Sequence, residues 1–423
     1  MFEIMMGAAA PAAGAVQPYV DNTMLLLVSA MVVMFMAAGF CCLEGGLVRQ
    51  KNVAAICLKN ISLFSLACIA YYLVGYRLMY DGVDGGFIGT LGVWSPGPMD
   101  EANGDMAASA DWIFQTVFVA TAASVVSGTL AERIKLWPFL FFVLILTAII
   151  YPITGAWKWG EGWLAVRGFQ DFAGSTLVHS VGGWSALTGA IILGPRLGKY
   201  LDDGRVRPFP GSNLPFATLG VFILWLGWFG FNGGSQLAAG TISDANAVAK
   251  IFANTNIAAC AGVLTAMAIS QLHYGKVDLT LALNGAIGGL VSITAEPLAP
   301  ALWQSMIVGG VGGVLVVYAV PLLDRLKIDD VVGAIPAHLV CGIWGTLVVA
   351  WTGMSAETGF FTLLGSQLLG VVSIGAFVVA STLGVWFAID RTVGLRVSAE
   401  DEQTGLDQTE LGIEAYPDFL ARG

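Results

Sequence analysis

The chain contains two similar stretches of sequence, DFAGSTLVH at residues 171–179 and DVVGAIPAH at residues 330–338. In each stretch a histidine, His179 or His338, follows an aspartate by eight residues and lies midway along an apolar run. Eight helical residues rise about 12 Å, nearly half of a bilayer core about 30 Å thick. The spacing predicts that Asp171 and Asp330 mark membrane edges and that the histidines lie near mid-depth, where ionisable groups indicate a functional site.

The composition is that of a membrane protein. The 423 residues are 57% hydrophobic and only 11% charged, whereas about 25% of the residues in a soluble domain are charged. Apolar runs of about 20 residues recur along the whole chain, which predicts an all-α polytopic membrane protein. The six cysteines fall inside these runs without metal-ligand spacing, so we expect neither a disulfide nor a metal site.

The apolar runs predict eleven transmembrane helices within a transmembrane domain at 21–390. Residues 1–20 are predicted to form a short lead outside the cytoplasm, because no basic residue of a signal peptide precedes Arg49. Residues 391–423 are predicted to form a polar cytoplasmic tail. The predicted spans are 22–46, 53–76, 112–132, 136–157, 174–194, 214–235, 247–271, 279–298, 302–322, 333–352 and 363–390.

Basic residues predict the orientation of these helices. Most of the 19 lysines and arginines, for example Arg49 and Arg133, fall in the loops that follow odd-numbered spans or in the tail. Arg77, Lys158 and Arg167 lie on the opposite side. Because cytoplasmic loops are enriched in Lys and Arg, the N-terminus is predicted to be outside and the C-terminus in the cytoplasm.

The two Asp-to-His units then run in opposite directions, which predicts an inverted repeat of spans 1–5 and 6–10 with span 11 as an extra C-terminal helix. Such a repeat brings His179 and His338 together at mid-membrane. Two imidazoles can share one hydrogen bond, and removal from water favours their neutral form. A neutral pair in an apolar tube offers hydrogen bonds to a small polar solute, rejects a bare cation and can relay a proton.

Two other roles for the histidines remain open. They could be separately satisfied structural residues, or they could be axial ligands of a haem. Close mutual contact would leave no room for a porphyrin, so no cofactor is predicted. Trp159 and Phe231 lie at the outer ends of spans 4 and 6, and Phe118 lies within span 3. Their ring faces could attract a small cation, although packing roles are common among 13 Trp and 23 Phe.

Several stretches closely resemble signatures of the ammonium transporter (Amt/Rh/methylammonium permease) family, in the family's order and from about residue 21 to the C-terminus. They include the first Asp-to-His stretch extended to Gly183 and the second extended to Gly345. The others are EGGLVRQKN at 44–52, AERI at 131–134 and WFGFNGGS at 228–235. The number of spans and their topology also match, and the signature at 44–52 favours the Amt branch.

The resemblance implies a homotrimer in which each protomer has its own narrow apolar pore. Ammonium is then recruited by an aromatic cage and a serine, which match Phe118, Trp159 and Ser235. Two stacked phenylalanines that cap the pore match Phe118 and Phe231.

The family's paired pore histidines match His179 and His338. The family's aspartate below the cage matches Asp171, which has a structural and electrostatic role and is not a direct ligand. We expect Asp171 and Asp330 mainly to accept backbone N–H groups at helix ends.

The resemblance also covers the tail. In the family this segment couples protomers and contributes to gating, and bacterial members are blocked by a PII-class nitrogen-regulatory signal protein. The usual His-Gly-Glu of the family is replaced here by Leu411-Gly412-Ile413. The other expected partners are ammonium or ammonia and membrane lipid, with no nucleic acid, and the expected location is the plasma (inner) membrane.

The sequence therefore predicts an ammonium transporter and not an enzyme. Ammonium would be deprotonated at the outer end, and NH3 would cross past the histidines. Analogy favours separate proton transfer and thus electrogenic flux. Two alternatives remain: a sensor without a fused signalling domain, and a channel for a neutral gas as in the Rh branch.

Overall fold

A computed structural model describes residues 13–96, 105–355 and 358–417. Within these ranges the regular elements are all helices, and the only β-type pairings are two isolated bridges, Ile134 with Arg396 and Tyr200 with Val206. The predicted all-α fold is confirmed. The first helix begins at Ala13, so it includes the end of the predicted lead, whose residues 1–12 lie outside the described ranges.

Eleven long helical segments and one short α-helix follow one another along the described residues, before a π-helical turn at Asp407–Leu411. The helices are α1 Ala13–Leu47, α2 Gln50–Tyr80, α3 Ala108–Thr129, α4 Leu136–Val166, α5 Ser175–Leu193, α6 Leu214–Gly234, α7 Ile242–Tyr274, α8 Leu279–Ile293, α9 Leu302–Arg325, α10 Ile335–Thr352, α11 Phe360–Thr392 and α12 Ala399–Thr404. A turn interrupts α4 before its last helix, Trp163–Val166.

Ten of the described helices are long and apolar enough to cross a membrane, and α8 is the shorter eleventh. Its 15 residues rise only about 22 Å. The predicted span 279–298 therefore ends too late, because Pro297 cannot continue a helix. Backbone groups beyond the end of α8 bond to another segment. The carbonyl of Ala295 accepts a hydrogen bond from the backbone N–H of Phe172 at 2.8 Å.

The first helices of the two predicted halves, α1 and α6, pack along each other. Glycines permit this close approach. A Cβ atom on Gly220 of α6 would lie 2.4 Å from the backbone nitrogen of Leu43, and one on Gly46 of α1 would lie 2.5 Å from the backbone nitrogen of Ala217. The last helices of the halves, α5 and α10, also contact each other. The equivalent helices of the two halves therefore meet at the centre of the bundle.

Both α5 and α10 begin with a π-helical turn, Ser175–Ser180 and Ile335–Val340. Each turn carries one of the two histidines. The residues from Asp171 to Gly174 are not helical, so the premise of eight continuous helical residues between Asp171 and His179 is wrong. Sequence periodicity gives no signal for a π turn, and such turns are frequent at functional sites.

One end of the bundle, which we call the basic end, carries the arginines Arg49, Arg133, Arg196 and Arg396. Arg196 donates two side-chain hydrogen bonds to the buried carboxylate of Asp329, at 2.8 and 2.9 Å. Arg133 is fully buried and donates to the backbone carbonyl of Asp329 at 2.7 Å. Burial alone would raise the pKa of Asp329, but the hydrogen bonds from Arg196 and the charge of Arg133 hold that pKa well below its usual value.

The described part of the tail folds back onto the basic end. The carboxylate of Asp407 accepts hydrogen bonds from the backbone N–H groups of Ala54 and Ala55, at 3.0 and 2.8 Å, close to the start of α2. The backbone N–H of Leu406 donates to the side chain of Asn52 at 2.9 Å. These contacts satisfy backbone donors that a helix start leaves free.

We predict that Asp329→Asn lowers the free energy of unfolding by about 3 kcal/mol, because it leaves Arg196 buried with only part of its charge compensation. Thermal unfolding in detergent would measure the loss. The matched control is Asp203→Asn, which removes an ion pair with Arg205 on an exposed loop and should change stability little.

The same pair predicts a pH dependence. The pKa of Asp329 is lowered in the folded protein, so its stabilising contribution is complete above about pH 4 and is lost as the pH falls further. Asp329→Asn should therefore lose less stability than the wild type on acidification below pH 4. If acidification lowered the free energy of unfolding equally in the two proteins, the stabilising role of the Asp329 carboxylate would be contradicted.

Candidate functional site

A cavity of about 150 Å³ opens at the end opposite the basic end, which we call the aromatic end. Three residues that the sequence predicted for substrate binding, Phe118, Trp159 and Ser235, line it together. The remaining lining residues are Tyr80, Asp111, Phe114, Gln115, Phe172 and Leu237. The structure thus brings the predicted residues into one cavity; their binding role stays a prediction.

Phe118, which lines this cavity, stacks on Phe231, which lies behind it. The ring centroids of Phe118 and Phe231 are 3.9 Å apart with an angle of 19° between the ring planes. Trp159 meets Phe118 edge-on, with ring centroids 6.1 Å apart. Both phenylalanines are buried, so the stack closes the path from the cavity into the bundle.

The polar groups around the cavity have fixed orientations. The hydroxyl of Ser235 donates to the backbone carbonyl of Phe231 at 2.8 Å, so its oxygen lone pairs remain to accept hydrogen bonds. The indole N–H of Trp159 donates to the backbone carbonyl of Asp171 at 2.9 Å. That bond holds the indole ring at the rim of the cavity.

The two histidines lie directly beneath the phenylalanine stack. The ring of Phe231 is 5.3 Å from the ring of His179. The Nδ1 atoms of His179 and His338 are 3.2 Å apart, within hydrogen-bond distance, and both rings are buried. One Nδ1–H must therefore donate to the other Nδ1. The prediction that the two histidines meet is confirmed, and their contact leaves no space for a haem between them.

The Nε2 atom of His179 is buried and has no hydrogen-bond partner among the described residues. The imidazole stacks on Trp228 with ring centroids 4.9 Å apart, and the indole N–H of Trp228 is itself bonded to Thr294 at 2.8 Å. A buried polar atom without a partner is unfavourable, so Nε2 of His179 is available to a small polar solute.

Matching aspartates hold the two histidine-bearing turns. Asp171 accepts hydrogen bonds from the backbone N–H groups of Gly174, Thr176 and Leu177 at 2.8–3.0 Å. Asp330 accepts from Gly333 and Ile335 at 3.1 and 2.7 Å. The two carboxylates use equivalent positions, three and five residues further along.

The third residue after each aspartate, Gly174 or Gly333, has a positive φ of 105° or 79°, which favours glycine. The DxxG pattern thus builds the same turn twice. The capping that we predicted for both aspartates is present.

Phe118, Phe231, His179 and His338 form a column of rings that begins at the aromatic cavity, and this column continues below the histidines to the basic end. The ring of Phe40 lies 6.3 Å from the ring of His338. A second cavity, of about 370 Å³, opens there and is lined in part by Val332, Gly333 and Pro336. The order of groups is therefore aromatic cavity, two phenylalanines, two histidines, Phe40 and basic-end cavity.

Sequence reasoning missed Phe40, Trp228 and Asp111. Asp111 lies in the aromatic cavity and accepts a hydrogen bond from the hydroxyl of Tyr76 at 2.5 Å. A carboxylate near the start of α3, at the end of an apolar span, was a sequence signal that could have pointed to this site. Phe40 gave no signal, because it is one apolar residue within a long apolar run.

Comparison with known proteins decides the family. A model described as the Ammonium Transporter Family matches residues 24–416. The chain belongs to the ammonium transporter family. Its members are transporters and not enzymes, in agreement with the prediction.

Individual members of the ammonium transporter family align along most of the chain. The ammonium transporter Amt2 of Archaeoglobus fulgidus is 40% identical, and the match covers 93% of this chain and 88% of that protein. A solved structure named Sensor Amt Protein gives a TM-score of 0.89 at 32% identity and covers 93% of this chain and 99% of its own. The crystal structure of Candida albicans Mep2 gives a TM-score of 0.81 at 26% identity, with coverages of 92% and 89%.

We predict that Asp171→Ala and Asp330→Ala destabilise the protein by similar amounts, about 2–4 kcal/mol each, because each leaves two or three backbone N–H groups of a histidine-bearing turn without a partner. Thermal unfolding in detergent would measure both variants. Asp278→Ala is the control, since Asp278 caps α8 at an exposed position and should cost only about 1 kcal/mol. If the two buried variants lost no more stability than the control, the capping role would be refuted.

Proposed function

We propose that this multi-pass membrane protein recruits NH4+ in the aromatic cavity, removes one proton and passes NH3 along the column past His179 and His338. Membership of the ammonium transporter family supports the substrate. The single observation that carries the mechanism is the 3.2 Å contact between the two Nδ1 atoms within an otherwise apolar column. The pair supplies hydrogen bonds suited to a small neutral molecule without adding a charge.

Recruitment uses the ring faces and the serine. The faces of Trp159 and Phe118 attract a cation by roughly 2 kcal/mol when water is excluded. An N–H of ammonium donates to the free lone pairs of Ser235. The carboxylate of Asp171, which lies behind Trp159, adds negative potential through a short distance of protein. Together these groups favour a small cation with N–H donors over one without them.

Deprotonation follows from the surroundings of the column. A cation beneath the phenylalanine stack would lose its water and meet only two neutral imidazoles, which is a large cost for a bare charge. NH3 loses far less hydration than NH4+, and it can both donate to and accept from imidazole nitrogens. Movement of the Phe118 and Phe231 rings admits it, and Nε2 of His179 offers the first partner.

We propose that the proton crosses separately, which makes transport electrogenic. We also propose that the aromatic end faces outward and the basic end faces the cytoplasm, because Lys and Arg favour the cytoplasmic side. The family resemblance supports a homotrimer in the plasma membrane and a PII-class regulatory protein as a partner at the basic end. In this orientation the docked tail lies in the cytoplasm.

A sensor is the second candidate function. It is favoured by the similarity to the structure named Sensor Amt Protein, of which the match covers 99%. A sensor would bind ammonium in the same cavity without sustained flux. Measurement of flux separates the two, since binding without flux would support the sensor and contradict transport.

We predict that His179→Ala reduces ammonium-specific flux at least tenfold or abolishes its selectivity, because it removes one half of the hydrogen-bonded pair. The measurement is charge movement in proteoliposomes on a solid-supported membrane after an ammonium jump. His273→Ala is the control, since His273 lies exposed near the end of α7 and should leave the current unchanged. A normal, ammonium-specific current in His179→Ala would refute the role of the pair.

We also predict that Ser235→Ala raises the half-saturating ammonium concentration about fivefold to tenfold, because one hydrogen bond to a cation is lost in a partly hydrated cavity. The maximal current should change little, since the column is intact. Ser366→Ala is the control: its hydroxyl is bonded to the carbonyl of Arg167 on an exposed surface. An unchanged half-saturating concentration in Ser235→Ala would show that the serine does not contribute to ammonium recruitment.

A further inference from the structure

A glutamate and a lysine are buried together among α1, α2 and α3, in the half of the bundle near the basic end. Glu44 is 1% exposed and Lys59 is 5% exposed. Ser127 contacts both: its hydroxyl donates to Oε2 of Glu44 at 2.8 Å, and its backbone carbonyl accepts from the ammonium of Lys59 at 2.7 Å. The amide of Asn60 also donates to Oε2 of Glu44, at 3.1 Å. Ionisable groups inside a membrane are rare and often mark proton paths.

The second oxygen of this carboxylate is unusual. Oε1 of Glu44 is buried and has no hydrogen-bond partner among the described residues. A buried glutamate that only joined helices through Ser127 and Asn60 would gain nothing from a free carboxylate oxygen, because a buried polar atom without a partner is unfavourable. The free oxygen therefore indicates a position that accepts a proton or a water molecule from outside the cluster.

The position of Glu44 relative to the column supports this. Phe40, whose ring lies near His338, precedes Glu44 by one helical turn on the same face of α1. A Cβ atom on Gly128 would lie 3.3 Å from Cγ of Glu44 and 2.4 Å from a methyl carbon of Val332. Val332 lines the basic-end cavity, so the Glu44 side chain packs at Gly128 close to a residue in the wall of that cavity.

We propose that Glu44 is the proton carrier of the basic-end half of the transport path, an inference that rests on the proposed electrogenic ammonium transport. The proton that ammonium loses at the aromatic end reaches the histidine pair and leaves a protonated His338 through water. It adds to Oε1 of Glu44, which converts the carboxylate to a carboxylic acid and returns the imidazole to its neutral form. The acid then loses the proton to water in the basic-end cavity, and the carboxylate is restored.

Lys59 holds Glu44 in position and favours its return to the carboxylate form. Its cation attracts the glutamate carboxylate through a low-dielectric region and is itself held by the carbonyl of Ser127 and by the ring of Phe139, 4.9 Å away. The attraction favours release of the proton from Glu44 after each transfer. NH3, which carries no charge, passes without using either residue, so the proton and NH3 share the histidines and then separate.

The test compares charge movement with NH3 entry in the same proteoliposomes. The double variant Glu44→Gln/Lys59→Met removes both charges, so that neither remains buried alone. We expect its ammonium-induced current to fall at least tenfold while NH3 continues to enter. Because no proton then crosses to cancel the alkalinisation caused by NH3, internal alkalinisation above that of protein-free liposomes should be at least twofold larger than in the wild type. Glu44→Asp, which retains a carboxylate, should recover a measurable part of the current.

Two results would overturn the proposal. The first is a current within twofold of the wild type in the double variant. The second is loss of both current and NH3 entry in a protein whose oligomeric state and unfolding temperature are unchanged, which would assign the cluster to the NH3 column.

The wild type separates failure of this inference from failure of the proposed function. If the wild type admits NH3 without a current, no proton crosses the membrane. That result refutes the proton route through Glu44 but not ammonia transport. If it gives neither signal above protein-free liposomes, ammonium transport itself is refuted.

Discussion

The hydrogen bond between His179 and His338 is the interaction on which the rest of the structure depends. It joins the two halves of the chain at a point where both rings are buried. To form it, each half must present its histidine at the same depth and in the right orientation. The two π turns, the two aspartate caps and the two glycines with positive φ all serve this one placement. Because backbone N–H groups hold each aspartate, a small change in a cap would move an imidazole.

The distribution of charge follows from the same constraint. The histidine pair stays neutral only if the column around it is apolar. The ionisable groups therefore lie at the ends of the column or outside the residues that line it. At the basic end the buried carboxylates of Glu132 and Asp329 form ion pairs with Arg49, which is half-buried, and with Arg196, which is buried. Burial alone would raise the pKa of Glu132, but Arg196 and Arg49 hold it below its usual value. Glu44 and Lys59 are exceptions within the bundle, and their position beside the column is the reason for assigning them a role in proton movement.

Much of the fold could be predicted from the sequence, because hydropathy records directly which segments prefer lipid. The order of eleven helices, the pairing of the halves and the meeting of His179 with His338 followed from apolar runs and the repeated Asp-to-His spacing. The end of α8 was missed because hydropathy continues through Thr294 and Ala295, although Pro297 stops the helix. The π turns were missed because periodicity gives no signal for them or for the positive φ of Gly174 and Gly333, which precede them. The sequence analysis assigned no role to Glu44 beyond its motif, although one carboxylate and one lysine in adjacent apolar spans were a signal that the two could lie in one buried cluster.

The most direct test of the central claim is solid-state NMR of the protein labelled with ¹⁵N in its three histidines, in lipid at neutral pH. The account predicts that His179 and His338 are both neutral, have opposite tautomers and show a scalar coupling between their Nδ1 atoms across the shared hydrogen bond. The exposed His273 should show neither a fixed tautomer nor a coupling. Two histidines in the same tautomer, or a permanently charged imidazole in the pair, would contradict the account.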